Sequence, residues 1–82
     1  MQVTYFVVMS FYYDRSETLV AGDPQSVDNA VAAWRFAQAL ACVPGKAGAI
    51  AFSRTGDRET GEFQAPHVIA EFGEVDRRAL QD

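Results

Sequence analysis

Thirteen residues pass before the first charged side chain, and within them Val3 to Tyr13 reads Val-Thr-Tyr-Phe-Val-Val-Met-Ser-Phe-Tyr-Tyr. Nine of these eleven are apolar or aromatic, and five of the chain's ten aromatic residues lie here. Such side chains favour a pleated strand, which sends successive residues to opposite faces. One face is then Val3, Tyr5, Val7, Met9, Phe11 and Tyr13; the other is Thr4, Phe6, Val8, Ser10 and Tyr12. Both faces need cover. The rest of the sequence supplies one convincing helix, so the expectation is a sheet shielded on one side that self-associates through the other.

Eighty-two residues make a single domain with a small core, for which oligomerisation is a common reinforcement. A 49% apolar and 22% charged composition is that of a globular chain. The net charge of −4 disfavours nucleic-acid backbones and anionic membranes, which bind through clustered Lys and Arg. Cys42 is the single cysteine and has no intrachain partner, which fits a reducing compartment. The apolar opening makes a poor secretion signal: no basic residue precedes it, and charges follow at once. It is also far short of the ~20 residues of a membrane span. A cytoplasmic location is expected.

After the first strand, Asp14-Arg15-Ser16-Glu17 is a turn, and Thr18 to Ala21 returns as a short second strand that Gly22-Asp23-Pro24 stops. Ser26 is the expected helix N-cap, with Asp28 in the first turn and Asp23-Pro24 as a competing start. Val27, Ala30, Val31, Trp34, Ala37 and Ala41 recur at helical spacing, with Ala33, Phe36 and Leu40 beside them. Six alanines between 30 and 41 let the helix sit close to a sheet. Pro44 ends it. A third strand, Ala47 to Arg54, has small residues on one face. A fourth runs from Glu62 to Gly73, broken at Pro66, which marks an edge or a bulge. Val68, Ala70 and Phe72 are expected on one of its faces. Glu74 to Asp82 reads as a charged, mobile tail with one helical turn around Val75 to Leu80.

The fold expected is therefore α+β: β-β-α-β-β, a four-stranded antiparallel sheet in spatial order 2-1-3-4 with one helix on one face. The open face then forms a homodimer through Tyr5, Val7, Met9 and Phe11, burying on the order of 1,200–2,000 Å² in total. Cover by the tail is the alternative, but it offers only Val75, Ala79 and Leu80. Base-stacking by the aromatics is disfavoured because Arg15 is the only basic residue near the strand.

No catalytic or cofactor signature stands out. Gly45-Lys46 lies after a helix and before a strand, the reverse of a phosphate-binding loop, and Ala47 stands where that loop needs Ser or Thr. The polar stretch 53–61 has two readings. Arg54, Thr55, Gly56 and Arg58 make a nest for a small anion, or the stretch is a hairpin loop. In the second reading Asp57 and Thr60 bond the turn backbone and the arginines pair with Glu59 or Glu62. His67 has Glu71 as its one metal-ligand companion on the strand, too few for a site. Cys42, Trp34 and Phe36 read as packing residues, and the carboxylates Glu59, Glu62, Glu71 and Glu74 as solvent-facing.

Ala-Phe-Ser-Arg-Thr-Gly-Asp at 51–57 with Thr-Gly-Glu-Phe at 60–63, preceded by Lys46-Ala47-Gly48-Ala49, resembles a set of short uncharacterised bacterial proteins. The likeness extends more loosely to Tyr5-Phe6-Val7-Val8 and Phe72-Gly73. It implies a bacterial, intracellular protein and brings no activity or functional residues. The function expected is a non-enzymatic homodimeric interaction or structural module with no cofactor. Alternatives are a small-anion-binding protein using the 53–61 loop and an antitoxin-like protein masking a basic partner.

Overall fold

The computed structural model describes residues 1–80. Its elements in chain order are β1 (Val3–Tyr13), β2 (Leu19–Ala21), β3 (Gln25–Val27), α1 (Ala30–Ala41), β4 (Gly48–Asp57), β5 (Glu62–Phe63), β6 (His67–Gly73) and a terminal 3-10 turn (Arg77–Leu80). All strand pairings are antiparallel, and the helix packs against one face of the curled sheet, so the fold is α+β as expected. Among the described residues no helix is long and apolar enough to cross a membrane.

β1 and β4 are the centre. They pair without interruption from Val3 opposite Gly56 to Phe11 opposite Gly48. β2 and β3 lie along the outer side of β1, while β5 and β6 lie along the outer side of β4. The expected order therefore holds, with six strands in place of four because each edge is split by a proline. Pro24 removes a donor at the first break, and the chain rejoins β1 as β3, where Ser26 faces Val7. Pro66 does the same between β5 and β6, leaving Gln64 N–H to Thr55 O (2.8 Å) as the last bond before the gap.

Recruitment of Ser26 into the sheet moves the helix start. The N-cap is Asn29, whose side chain accepts from Ala32 N–H at 2.8 Å, in place of Ser26 or Asp23-Pro24. Asp28 falls before the cap, outside the first turn. The buried stripe of α1 centres on Ala33 and Ala37, flanked by Phe36, Leu40 and Ala41. They meet Val8, Ala49 and Ala51 on the sheet, all fully buried. Small side chains on both surfaces let helix and sheet approach closely. Trp34 departs from the expected core position: 43% exposed, it stands at the helix margin, edge-on to Phe72 at 5.5 Å.

The second sheet face carries Met9, Phe11, Ile50 and Phe52, which form a separate cluster with Leu80. Between them the two clusters bury both faces of the inner halves of the central strands. Overpacking an Ala-to-Ala contact forces off-rotamer side chains, at a cost of about 1–3 kcal/mol. Ala37→Leu is expected to lower stability by about that amount in urea or thermal unfolding, whereas Ala39→Leu, on the exposed side of the same helix, stays within about 0.5 kcal/mol.

Candidate functional site: the half-covered sheet face

What the helix does for one face, the chain's last described turn does for half of the other. Gly73 has φ +70°, and Glu74 N–H then bonds Ala47 O at 3.0 Å, so the chain leaves β6 and crosses the sheet. Leu80 ends 6% exposed against Met9, Phe11, Ile50 and Phe52, with Val75 beside it. Arg77 donates from Nε and Nη2 to the two carboxylate oxygens of Glu71, each at 2.8 Å. Arg78 grips Asp76 in the same turn. Tyr13 donates its hydroxyl to Glu74. The Arg77 guanidinium holds the Glu71 carboxyl below its usual range, and the Glu74 carboxylate, by keeping the Tyr13 proton, pushes that phenol up.

A single leucine does not hold this segment. Ordering each backbone residue costs roughly 1–2 kcal/mol, whereas burying a leucine returns about 1.5–3 kcal/mol. The Val75 contact and the side-chain hydrogen bonds are needed too, so the turn is the element most easily opened.

At the Val3 end of the face the turn gives out. A recess of about 330 Å³ remains, walled by Tyr5, Val7, Met9, Phe52, Phe63 and Leu80. Arg54 closes one end, its guanidinium carbon 5.7 Å from the Phe63 ring centre. Arg58 stands 5.5 Å from the Tyr5 ring centre, and the two rings are 6.2 Å apart. Arg54 also bonds Gln64 O through Nε at 3.5 Å. Arg58 makes no ion pair among the described residues.

Of the two arrangements expected for 53–61, the hairpin is found in part and the anion nest is not. β4 continues to Asp57, three residues beyond the expected end, because β1 pairs with it as far as Gly56 and β5 takes up Asp57. Extended backbone alternates its side chains, so Arg54 and Gly56 face the recess while Thr55 faces away and shares a hydrogen bond with Thr4 (2.8 Å between hydroxyls). Gly56 is packed beneath Phe63: a Cβ there would lie 2.2 Å from the ring. Arg54, Thr55, Gly56 and Arg58 therefore form no anion nest. The turn itself follows the hairpin reading in part. Asp57 accepts from Glu59 N–H (2.8 Å), Thr60 from Glu62 N–H (3.3 Å), and Gly61 takes φ +77°. The Met1 amine and the Glu59 N–H hold the Asp57 carboxyl below its usual range. Arg54 lies over the Phe63 ring and Arg58 over the Tyr5 ring.

The expected dimer residues divide along the strand. Phe11 has no exposed surface within one chain and Met9 has 8%, so neither offers a contact to a second copy. Tyr5 and Val7 remain half-buried at the open end, with Val3 (41% exposed) and Phe63 (40%) beside them. A bulge explains two further departures. Ala51 faces Ala70 but Phe52 faces Val68, so Ile69 is an extra residue and side-chain parity flips. Val68 joins the Phe52 side, opposite Ala70 and Phe72. His67 lies opposite Ser53 on the helix side and Glu71 opposite Ile50 on the other, so they are not companions. Among the described residues no group of His, Cys, Asp and Glu could hold a metal ion. Cys42 is the helix C-cap and exposed, not packed.

Sequence reasoning missed Phe63 and discounted Leu80, which it weighed only as part of a tail too poor in apolar residues to cover the face. A glycine inside a strand with an aromatic on the neighbouring strand is a recognised pairing and points to Phe63 once Gly56 is placed in β4. Compared with protein-family models, curated proteins and solved structures, the chain matches none.

The lowered pKa of Glu71 makes tail docking acid-sensitive. A carboxyl whose folded pKa lies below its unfolded value stabilises fully above the ordinary value of 4.5 and loses that contribution as pH falls through the lowered one. Arg77 is 64% exposed, so the effect is modest and screened by salt. Methyl NMR signals of Leu80 and Ile50 are expected to move part of the way toward undocked positions below about pH 4.5, and Glu71→Gln to show part of that shift already at pH 7.

Proposed function

We propose that the chain is a non-enzymatic interaction module that pairs with a second copy of itself through the uncovered end of its second sheet face. The observation that carries this reading is the apolar surface there: Val3 and Phe63 well exposed, Tyr5 and Val7 half-buried, and no element of the described chain over them. A two-fold contact brings the same patch from each copy together. Five residues of strand by four strands is roughly 17 by 19 Å, a few hundred Å² per copy. That is smaller than a standard stable interface and belongs with weak, reversible associations.

The non-enzymatic part of the reading is supported by the carboxylates. Asp14, Asp57, Glu71 and Asp76 each accept hydrogen bonds from the chain's own turns and tail. The cytoplasm is the setting that a lone exposed cysteine fits.

Sedimentation velocity over a concentration series is expected to show a reversible shift from 9.0 kDa toward twice that mass, with a dissociation constant on the order of tens of micromolar. Val3→Glu sets like charges against each other at the contact and is expected to weaken association at least about tenfold without altering the far-UV circular dichroism. A wild-type chain that stays at 9.0 kDa up to millimolar concentration would contradict the reading.

A further inference from the structure

We infer that the terminal turn is a strap that competes with a second copy of the chain for the second sheet face. While it is docked, self-association is confined to the uncovered end; once released, it gives the partner the whole face. The inference rests on the reading above and adds to it a means of regulation.

Three observations carry it. The first is continuity. Met9 and Phe52 belong both to the cluster beneath Leu80 and to the walls of the open recess, and Ala79 and Leu80 of the turn contribute a further wall. The covered and uncovered halves are therefore one surface, divided where the turn ends. The second is how the turn is held. Of Arg77–Leu80, Leu80 alone is buried. The side-chain ties back to the sheet are made by exposed groups: Arg77 to Glu71 on β6 and, on the approach to the turn, Glu74 to Tyr13 on β1. Arg78 and Asp76 pair within the segment, which shapes the turn without fixing it to a strand. The strands beneath are joined by their own ladders, β1 to β4 and β4 to β6, so the turn can leave while the sheet stays.

The third is area. The whole face follows β1 from Val3 to Phe11, nine residues or roughly 30 Å, across four strands or roughly 19 Å. Two such faces bury on the order of 1,100 Å², just above the ~1,000 Å² that a specific contact needs, whereas the uncovered ends alone fall well below it. Val3, Tyr5, Val7, Met9 and Phe11 present no charge along the strand, and an identical face matches that surface across a two-fold axis. Release of the turn leaves Met9, Phe11, Ile50 and Phe52 facing water, and a second copy removes them from it again. Docking and full pairing exclude each other, so each weakens the other by the same factor. The apparent dissociation constant of full pairing is the intrinsic one divided by the fraction of chains whose turn is released.

The test is sedimentation velocity of the full chain beside two full-length variants, Leu80→Asp and Arg77→Gln. Leu80→Asp sets a carboxylate against Met9, Phe11, Ile50 and Phe52, where it has no partner, so the turn stays off. It is expected to associate at least about tenfold more tightly than the wild type and to stop at twice 9.0 kDa. Arg77→Gln touches no apolar residue of the face, removes the tie to Glu71 and is expected to tighten association about twofold to threefold. In the dilute Leu80→Asp chain the Ile50 methyl group is expected to become accessible to solvent while the far-UV circular dichroism is unchanged. Association of both variants no tighter than the wild type, growth beyond a dimer, or loss of the sheet signal in Leu80→Asp overturns the inference. A wild type that dimerises while the variants gain nothing removes only the strap. A wild type that stays at 9.0 kDa while Leu80→Asp dimerises removes only the reading that the uncovered end suffices.

Discussion

The antiparallel pairing of β1 with β4 is the constraint on which everything else in the molecule depends. The two strands run together from Val3–Gly56 to Phe11–Gly48, and both are apolar on both faces along their inner halves. Such a pair needs two covers. On one side the small residues Ala49 and Ala51 accept the alanine stripe of α1, so the cover is close and complete. On the other side Ile50, Phe52, Met9 and Phe11 stand taller, and the chain has only its last turn left to lay over them. That asymmetry produces the half-covered face and the recess at its open end.

Much of this was legible from residue order. Two-residue periodicity marked β1 and β4, alanine spacing marked α1, and the two prolines marked edges, which together determine the antiparallel order. The departures share a cause: a local signal yielded to a longer-range pairing. Ser26 is as good a cap as Asn29, but β1 extends far enough to capture Gln25–Val27 as a strand, and the cap moves to the next suitable side chain. The polar composition of 55–57 reads as loop, yet Val3 and Thr4 lie opposite Gly56 and Thr55 and draw it into β4. The bulge at Ile69 is invisible to periodicity, since one extra residue reverses every assignment of face on one side of it.

The site was legible in its residues and not in its arrangement. Arg54 and Arg58 stood out as the positive charges of the polar 53–61 stretch, and Tyr5 and Val7 as apolar surface in need of cover. They were assigned to two separate places, a turn and a strand face. The structure unites them because strand alternation turns Arg54 toward Tyr5 while Arg58 reaches back over the same ring. The reduction of the open face is equally physical. Leu80 alone is a weak anchor, but Arg77 on Glu71 and Tyr13 on Glu74 fix the path that carries it to Ile50. What is left for a partner is therefore small and largely apolar.

The division of the second face is the claim that matters most, and solvent paramagnetic relaxation by a neutral gadolinium chelate reads it directly in the dilute chain. Ile50 and Leu80 methyl groups are expected to be protected, while those of Val3 and Val7, on the same side of the sheet, relax strongly. Equal relaxation along the whole face, or protection of Val3 and Val7 in the monomer, would contradict the account.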